Sequence, residues 1–318
     1  MNPEELKHIA VLQAMDSDAL ARLAAALEEK DYADGQTVFA EGDPGDSMYF
    51  IVKGCLRVEK RAQATGGVSK TLAVLEAGDY FGEMALLDQK PRSAAAVAAG
   101  AARILRLSKA AFDQIRERSS GAGLSVLFAM IRTSSERIRR LSAQVVVYDE
   151  VGKAIGEARE LQTLLDVILQ QLSSATAADW GLLLLRSQFS DHFELRSLAN
   201  LTLTPVQREA VTRGEGFLGP VLQNPQDQLV ANFNAQEPFQ SCTRLGFETA
   251  SLLLSPITVT GQLLGLIVLG GNKPGHFDLN ALHLVRGVAR QAAQAILNAR
   301  HREEEQARSR RSRQFVRF

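Results

Sequence analysis

The chain has 318 residues, of which 46% are hydrophobic and 23% charged, which is enough apolar material for two packed domains. Lys and Arg together number 36, as do Asp and Glu, so the formal net charge is zero and a whole-molecule electrostatic attachment to nucleic acid is not expected. Two cysteines without a CxxC spacing, Cys55 and Cys242, indicate a reducing compartment. The N-terminus has no signal pattern, and no apolar run approaches the ~18 residues of a membrane span. We therefore expect a cytoplasmic protein.

The first third of the chain changes from a helical to a strand pattern. Residues 3–28 have helical periodicity, with Asp16 as an N-cap before an alanine- and leucine-rich stretch. From about residue 30 to 107, short apolar runs alternate with glycines. The clearest runs are 37–40, 48–52, 72–75 and 101–107. Short strands at regular spacing with glycine turns predict a β-roll or barrel.

A second helical pattern begins at Ser108 and continues past residue 150, with a mostly apolar seam at alternating spacings of three and four. The seam positions are Leu124, Leu127, Ile131, Ser134, Ile138, Leu141, Val145, Tyr148, Gly152 and Ile155. A helix packed on its own domain would show such a pattern, but a length of ~4 heptads favours a parallel coiled coil between two chains. We therefore predict a homodimer.

The second half has an α+β pattern, in which helices flank antiparallel strands. Helices are predicted at 158–176, at 205–213 and from 280 to about 305. Strands are predicted at 180–186, 192–198, 228–230, 250–258 and 262–269. The last residues, 303–318, are rich in arginine and predict a disordered basic tail. This tail is either solvated or contacts an acidic partner, a membrane surface or nucleic acid.

The segment from Phe81 to Ala94 contains the most specific chemistry of the chain. Glu83 and Arg92 stand nine residues apart, between a glycine turn and an apolar strand. A carboxylate accepts a hydrogen bond from a ribose 2′-hydroxyl, and a planar guanidinium matches a phosphate. This segment resembles the phosphate-binding cassette of the cyclic nucleotide-binding domain family, and the resemblance covers roughly residues 6–150. Further marks of the family are Asp34-Gly35, Glu41 to Asp46, Lys53-Gly54, Gly78 to Glu83 and Pro91 to Ala94.

The resemblance implies roles for the residues of this cassette. Gly82 would make the tight turn that leaves room for the ribose, Glu83 would accept from the 2′-hydroxyl, and Arg92 would bind the phosphate. Residues 84–87, beginning at Met84, would form one helical turn, and its free N–H groups, including that of Ala85, would face the phosphate. The alternative is that Glu83 and Arg92 pair with each other in a domain that has lost its ligand.

The choice of base depends on the end of the cassette. Ser93 and Ala94 lie where the family donates further hydrogen bonds to the phosphate or the base. The Ser93 hydroxyl both donates and accepts, so it is compatible with cAMP and cGMP, and we favour cAMP. The family usually caps the base with residues of the long helix. The candidates here are Thr133, Ser134, Arg137 and Arg140.

Residues 158–300 resemble a GAF domain. The marks are Leu161 to Asp166, Ala178 to Gly181, Gly214 to Gly219, Gly261 to Val268 and Gly270 to Lys273. Asn272, Lys273 and Phe277 match part of the signature of GAF domains that bind cyclic nucleotides. Ala281 and Leu282 stand where that signature has acidic residues, so the segment is either a weak second nucleotide site or a turn.

Other motifs of the second half predict no chemistry. Residues 214–219 spell GxGxxG but follow a predicted helix, whereas a dinucleotide site needs a preceding strand. Cys242 is followed by Thr243 rather than by the histidine of bilin-binding GAF domains, which predicts a plain loop cysteine. The five histidines have no metal-ligand spacing, and we expect no metal.

These patterns predict four segments: a cyclic nucleotide-binding domain at 1–120, a connecting helix at 121–157, a GAF domain at 158–302 and the tail at 303–318. The combination predicts a non-enzymatic sensor of cAMP or cGMP that signals through a dimeric helix to the GAF domain and a downstream protein partner. The alternatives are a sensor with a second small molecule in the GAF domain and a transcriptional regulator that binds nucleic acid.

Overall fold

The computed structural model describes residues 6–9, 12–13, 15, 17–61, 69–84, 90–118, 120–157, 160–187, 192–235 and 248–315. The chain divides into two compact units, one up to Arg139 and one from Arg140 onward. The first unit has two antiparallel four-stranded sheets, and the second has one antiparallel five-stranded sheet. This arrangement confirms the predicted α+β class.

The first unit contains eight of the described strands, in two sheets ordered β1-β8-β3-β6 and β2-β7-β4-β5. The strands are β1 (Glu28–Tyr32), β2 (Thr37–Phe39), β3 (Ser47–Lys53), β4 (Cys55–Arg61), β5 (Ser69–Glu76), β6 (Tyr80–Phe81), β7 (Ala95–Ala98) and β8 (Ala102–Ser108). The four apolar runs read from the sequence correspond to β2, β3, β5 and β8. The pattern of short antiparallel strands confirms the predicted β-roll.

Alternate side chains of β3 and β8 point into two different cores of the first unit. Tyr49 and Ile51 of β3 lie in the core between the two sheets. Met48 and Phe50 of the same strand belong to a second core, beneath the helices. Successive side chains of a strand point to opposite faces, so one strand supplies both cores. The cassette follows β6, which pairs with β3 at Tyr49 and Phe50.

The predicted helix over residues 3–28 is not continuous among the described residues. Helix α1 begins at Ser17 and ends at Ala26. Before it, Leu6, Ile9, Leu12 and Met15 are buried at intervals of three, and each of the last three donates its backbone N–H to the carbonyl three residues earlier. The apolar spacing therefore reflects successive tight turns, which an α-helical pattern resembles over a short stretch.

Two helices follow β8, namely α2 (Lys109–Arg118) and α3 (Ser120–Glu157). Helix α3 contains the predicted seam. Ile131, Ile138, Leu141 and Val145 are exposed apolar residues on it. The side chains of Leu124 and Leu127 lie outside the described part.

The last turns of α3 pack within their own chain, contrary to the predicted intermolecular seam there. Val147 and Val151 are buried in the core of the second unit. Tyr148 lies against α7 (Leu279–Phe315), where a Cβ built on Gly287 would stand 2.1 Å from the tyrosine hydroxyl. The seam positions Tyr148, Gly152 and Ile155 are thus explained at least in part by packing inside one domain.

The sheet of the second unit has the order β10-β9-β13-β12-β11. Its strands are β9 (Trp180–Arg186), β10 (Phe193–Ala199), β11 (Gln228–Val230), β12 (Ser251–Val259) and β13 (Gln262–Gly271). Helices α4 (Leu161–Ala175) and α7 share a core with one face of the sheet. Helices α5 (Pro205–Thr212) and α6 (Leu218–Gln223) share a core with the other face. The central strands are therefore apolar on both sides.

The C-terminal helix is longer than the sequence predicted. Helix α7 ends at Phe315, so most of the segment expected to be a disordered basic tail has a helical backbone. The runs of Arg and Glu in this segment are good helix formers, and a helix already nucleated in the core extends through them at low cost.

Candidate functional site

Arg92 is held in place at the centre of the cassette by two backbone carbonyls. Its Nη1 donates to the carbonyl of Gly82 at 3.0 Å, and its Nη2 donates to the carbonyl of Ser47 at 2.7 Å. The residue is only 6% exposed, and its guanidinium lies 4.3 Å from the centroid of the Phe39 ring. The Nε is buried and makes no hydrogen bond to any described residue. Arg92, the residue predicted to bind the phosphate, is therefore fixed, and part of its guanidinium makes no hydrogen bond to a described residue.

Gly82 leaves room for Arg92. The glycine has a φ of +75°, and a Cβ built on it would lie 2.7 Å from Nη1 of Arg92. Positive φ disfavours any other residue here, and a side chain would also displace the guanidinium. The sequence predicts that this space serves the ribose, and that role stays a prediction.

Glu83 faces the long helix and not Arg92. Its side chain is 12% exposed and its carboxylate lies 3.7 Å from the guanidinium of Arg137 on α3. Among the described residues, no ion pair joins Glu83 to Arg92, which argues against the alternative in which the two residues neutralise each other.

Residues of α3 cover the strand that leads into the cassette. Arg137 donates to the carbonyl of Tyr80, and its guanidinium lies 4.9 Å from the centroid of the Tyr80 ring. Burial raises the pKa of the Tyr80 hydroxyl, which is hydrogen-bonded to Thr133 and Ser134. Three of the four predicted base-capping residues thus lie beside the cassette. The fourth, Arg140, pairs instead with Asp278 at 3.2 Å.

A charged network behind Arg92 was not foreseen. The Ser47 hydroxyl donates to Asp46 at 2.6 Å, and Arg106 donates to the other carboxylate oxygen of Asp46 at 3.1 Å. The Ser47 hydrogen bond and the charges of Arg106 and Arg92 lower the pKa of the Asp46 carboxyl. Ser47 is 45 residues from Arg92, and only the tertiary fold brings them together, so no local signal marks it.

The remaining residues of the predicted site have different environments. Ala94 is buried, Ser93 is exposed, and Met84 is 60% exposed. Ala85 and the rest of the predicted helical turn lie outside the described residues. The assignment of these residues to a ligand stays a prediction.

The motifs of the second unit have structural explanations. The GxGxxG segment follows helix α5, and no strand stands directly before it, so the dinucleotide interpretation is not supported. The backbone N–H of Asn272 donates to Asp179 at 2.7 Å, and the carbonyl of Lys273 accepts from Ser251 at 2.9 Å. Gly275 has a φ of +67°. These features match the turn that was one of the two predicted alternatives.

Neither a metal-binding cluster nor a membrane-spanning helix is found among the described residues. No three His, Cys, Asp or Glu side chains there come together in a way that could hold a metal ion. No helix in the same part of the chain has the length and hydrophobicity to cross a membrane.

Fold and site together define a two-domain α+β protein with a β-roll and a second antiparallel sheet covered by helices on both faces. Comparison with protein families names the two domains. The model described as "Cyclic nucleotide-binding domain" matches residues 29–119, and the model described as "GAF domain" matches residues 160–296. The chain thus contains a cyclic nucleotide-binding domain followed by a GAF domain, as the resemblances predicted.

Similar curated proteins are regulatory. A CRP-like cAMP-activated global transcriptional regulator of Mycobacterium tuberculosis is 28% identical over 162 residues, which cover 50% of this chain and 69% of that protein. A cAMP-dependent protein kinase regulatory subunit of Dictyostelium discoideum is 33% identical over 113 residues, which cover 35% of each chain. The chain thus spans about a third of the kinase subunit.

The solved structures that match include the regulatory domain of Toxoplasma gondii PKA with cAMP. It is 28% identical with a TM-score of 0.37, and the match covers 42% of this chain and 48% of that one. The Thermus thermophilus catabolite activator protein is 25% identical with a TM-score of 0.40, and its match covers 49% of this chain and 70% of that one.

Proposed function

We propose that the chain is a cyclic nucleotide sensor in which cAMP binds between Glu83 and Arg92. The observation that carries the proposal is the anchoring of Arg92. Among the described residues, carbonyl groups use two of the five N–H donors of its guanidinium, at 3.0 and 2.7 Å, and the other donors of the two Nη atoms could bind a phosphate in a position shielded from water.

We favour cAMP because the relatives described above are named as cAMP-activated and cAMP-dependent. Ser93 leaves cGMP open, since its hydroxyl serves as donor or acceptor. Gly82, Met84, Ala85, Ser93 and Ala94 complete the proposed pocket.

Helix α3 is the element that we propose transmits nucleotide binding from the pocket. A ribose hydroxyl at Glu83 would compete with Arg137 for the same carboxylate, which lies 3.7 Å from the guanidinium in this structure. Binding would then change the contacts of α3, and the nucleotide would favour one arrangement of this helix over another. We propose that this change reaches the GAF domain and a downstream protein partner.

The exposed apolar residues of α3 support a homodimer. Ile131, Ile138, Leu141 and Val145 are 49–66% exposed and recur at intervals of seven, three and four residues. A second copy of the same helix offers a matching stripe, as in a parallel coiled coil. The proposed dimer contact is confined to this middle part of α3, because the last turns pack on α7.

Calorimetric titration with cAMP and with cGMP tests the site. The wild-type protein is expected to bind at least one of them. Glu83→Gln removes the charged acceptor, and a hydrogen bond to a charged group is worth about 1.5–3 kcal/mol, so we expect a loss of roughly 10- to 150-fold in affinity. Glu136→Gln, an exposed position on α3, is the matched control and should bind as the wild type does. Absence of binding by both nucleotides to the wild-type protein would refute the proposal.

A further inference from the structure

A cavity of about 270 Å³ lies within the second unit, between α3, the end of α4 and the beginning of α7. Its polar lining consists of Arg140, Gln144, Thr176, His276, Asp278 and Asn280. The cavity is separate from the cassette, because its lining residues all belong to the unit from Arg140 onward.

Small side chains create this space. Ala143, Ala175, Ala177 and Ala281 line it, and Leu284 is the largest apolar side chain of the wall. Ala143, Ala175 and Ala177 are exposed, so the cavity opens to solvent on their side. An occupant would therefore have a route of entry and an apolar surface against which to pack.

The one acidic side chain of the lining is already neutralised. One oxygen of Asp278 accepts from the backbone N–H of Ala281 at 2.7 Å, which caps α7. The other oxygen accepts from Nη1 of Arg140 at 3.2 Å. The carboxylate is thereby paired within the protein, and it repels an incoming anion less than an unpaired carboxylate would.

Arg140 retains donors that face this cavity. Its guanidinium uses one N–H on Asp278, and within the described part of the chain it makes no other hydrogen bond. A guanidinium carries five such donors in a planar fork that matches a carboxylate. Arg140 is 56% exposed, so the fork is accessible.

Gln144 stands one helical turn from Arg140, and residues four apart lie on the same face of a helix. The side chain is half-buried, and its amide makes no hydrogen bond to another described residue. By contrast, His276 is occupied, since its Nε2 lies 2.9 Å from the carbonyl of Ala177. The free polar groups of the lining are thus a guanidinium and an amide, side by side on α3.

We propose that this cavity binds a small organic carboxylate, with its carboxylate on Arg140 and Gln144 and its carbon chain against Ala281 and Leu284. A volume of 270 Å³ corresponds to about nine water molecules at ~30 Å³ each, so the occupant has on the order of nine non-hydrogen atoms. Such a molecule would join α3 to α7. The proposal does not depend on cyclic nucleotide binding.

The test uses the full-length protein labelled with ¹³C at alanine methyl groups. The probes are sodium acetate, lactate, succinate, 2-oxoglutarate, alanine and glutamate, each compared with sodium chloride at equal ionic strength. We expect at least one carboxylate to shift the Ala143 and Ala281 methyl signals saturably, with a Kd of about 1 mM or tighter. The corresponding neutral amide should not shift them.

Variants separate this site from a general salt effect. Arg140→Ala should weaken carboxylate binding at least about tenfold, as loss of a charged bidentate partner does. Arg139→Ala, the adjacent arginine outside the lining, should bind the carboxylate as the wild type does. The proposal is overturned if no probe gives a saturable shift, if the amides bind equally well, or if Arg140→Ala binds with wild-type affinity.

Discussion

At the scale of single residues, Arg92 combines a structural and a proposed binding role. Its guanidinium donates hydrogen bonds to two backbone carbonyls and stacks on Phe39, and its other donors make no hydrogen bond to a described residue. The requirement for glycine at position 82 follows from the same arrangement, because a Cβ there would stand 2.7 Å from Arg92. Burial thus pre-positions the group that we propose to bind the phosphate, which would lower the entropic cost of binding.

Substitutions of Arg92 should separate the contribution of its charge to cAMP affinity from that of its planar shape. Arg92→Ala is expected to weaken cAMP binding by roughly 2–5 kcal/mol, about 30- to several-thousand-fold, because it leaves a buried phosphate charge without its partner. Arg92→Lys should also bind more weakly than the wild type, since a point charge does not replace the planar fork. Calorimetry measures both, with the exposed Arg22→Ala as the control. Wild-type affinity in Arg92→Lys would contradict the bidentate role.

At the scale of elements, helix α3 has two kinds of surface along its length. Its middle part exposes apolar residues at heptad spacing, and its end is buried against α7 and the GAF sheet. A repeating pattern in the sequence does not distinguish these two partners, since both need an apolar stripe.

A charged residue in the middle part of α3 should weaken the proposed dimer. Ile138→Glu would place two carboxylates face to face in a parallel dimer, where like charges repel and apolar contact is lost. We expect sedimentation velocity to show a shift from dimer to monomer at the same concentration. Arg139→Glu, on another side of the helix, should leave the dimer intact. A dimeric Ile138→Glu protein would show that this stripe is not the contact.

At the end of α3, substitutions of Tyr148 and Gly287 should have non-additive effects on the free energy of unfolding. Gly287→Ala should destabilise the second unit by about 1–3 kcal/mol, because the new methyl group overlaps the Tyr148 hydroxyl. In a Tyr148→Ala background the space is free, and the same substitution should stabilise by roughly 0.5–1 kcal/mol through helix propensity. Chemical denaturation of the four proteins measures the cycle. The same sign of effect in both backgrounds would contradict this packing.

At the scale of the whole molecule, the chain joins a cyclic nucleotide-binding domain to a GAF domain, and curated proteins that match up to half of it are regulatory. If α3 transmits the binding of nucleotide, cAMP should change the hydrogen-exchange protection of residues 124–155. We expect this change in the wild-type protein and its absence in Arg92→Ala, measured by mass spectrometry after brief deuteration. Unchanged protection at saturating cAMP would show that the helix does not take part in signalling.

Several features of the chain could be predicted from local sequence. The strands at 180–186 and 228–230 were predicted with the observed bounds, because each is a short, mostly apolar run between turn signals. β1 was missed, since four of its five residues are exposed and only Tyr32 marks it as a strand. The turns before α1 were read as helix because a spacing of three residues suits both structures.

The sequence by itself determined the class and the order of the two domains, and it predicted the cassette residues, because these depend on periodicity and on short spaced motifs. Only the tertiary structure decided the partners of those residues: Arg92 on the carbonyl of Ser47, Glu83 beside Arg137, and Tyr148 against Gly287. Each of these pairs joins different elements of the fold. The physical reason is that periodicity is set by chain neighbours, whereas strand pairing and helix packing bring together residues that carry no common signal in the sequence.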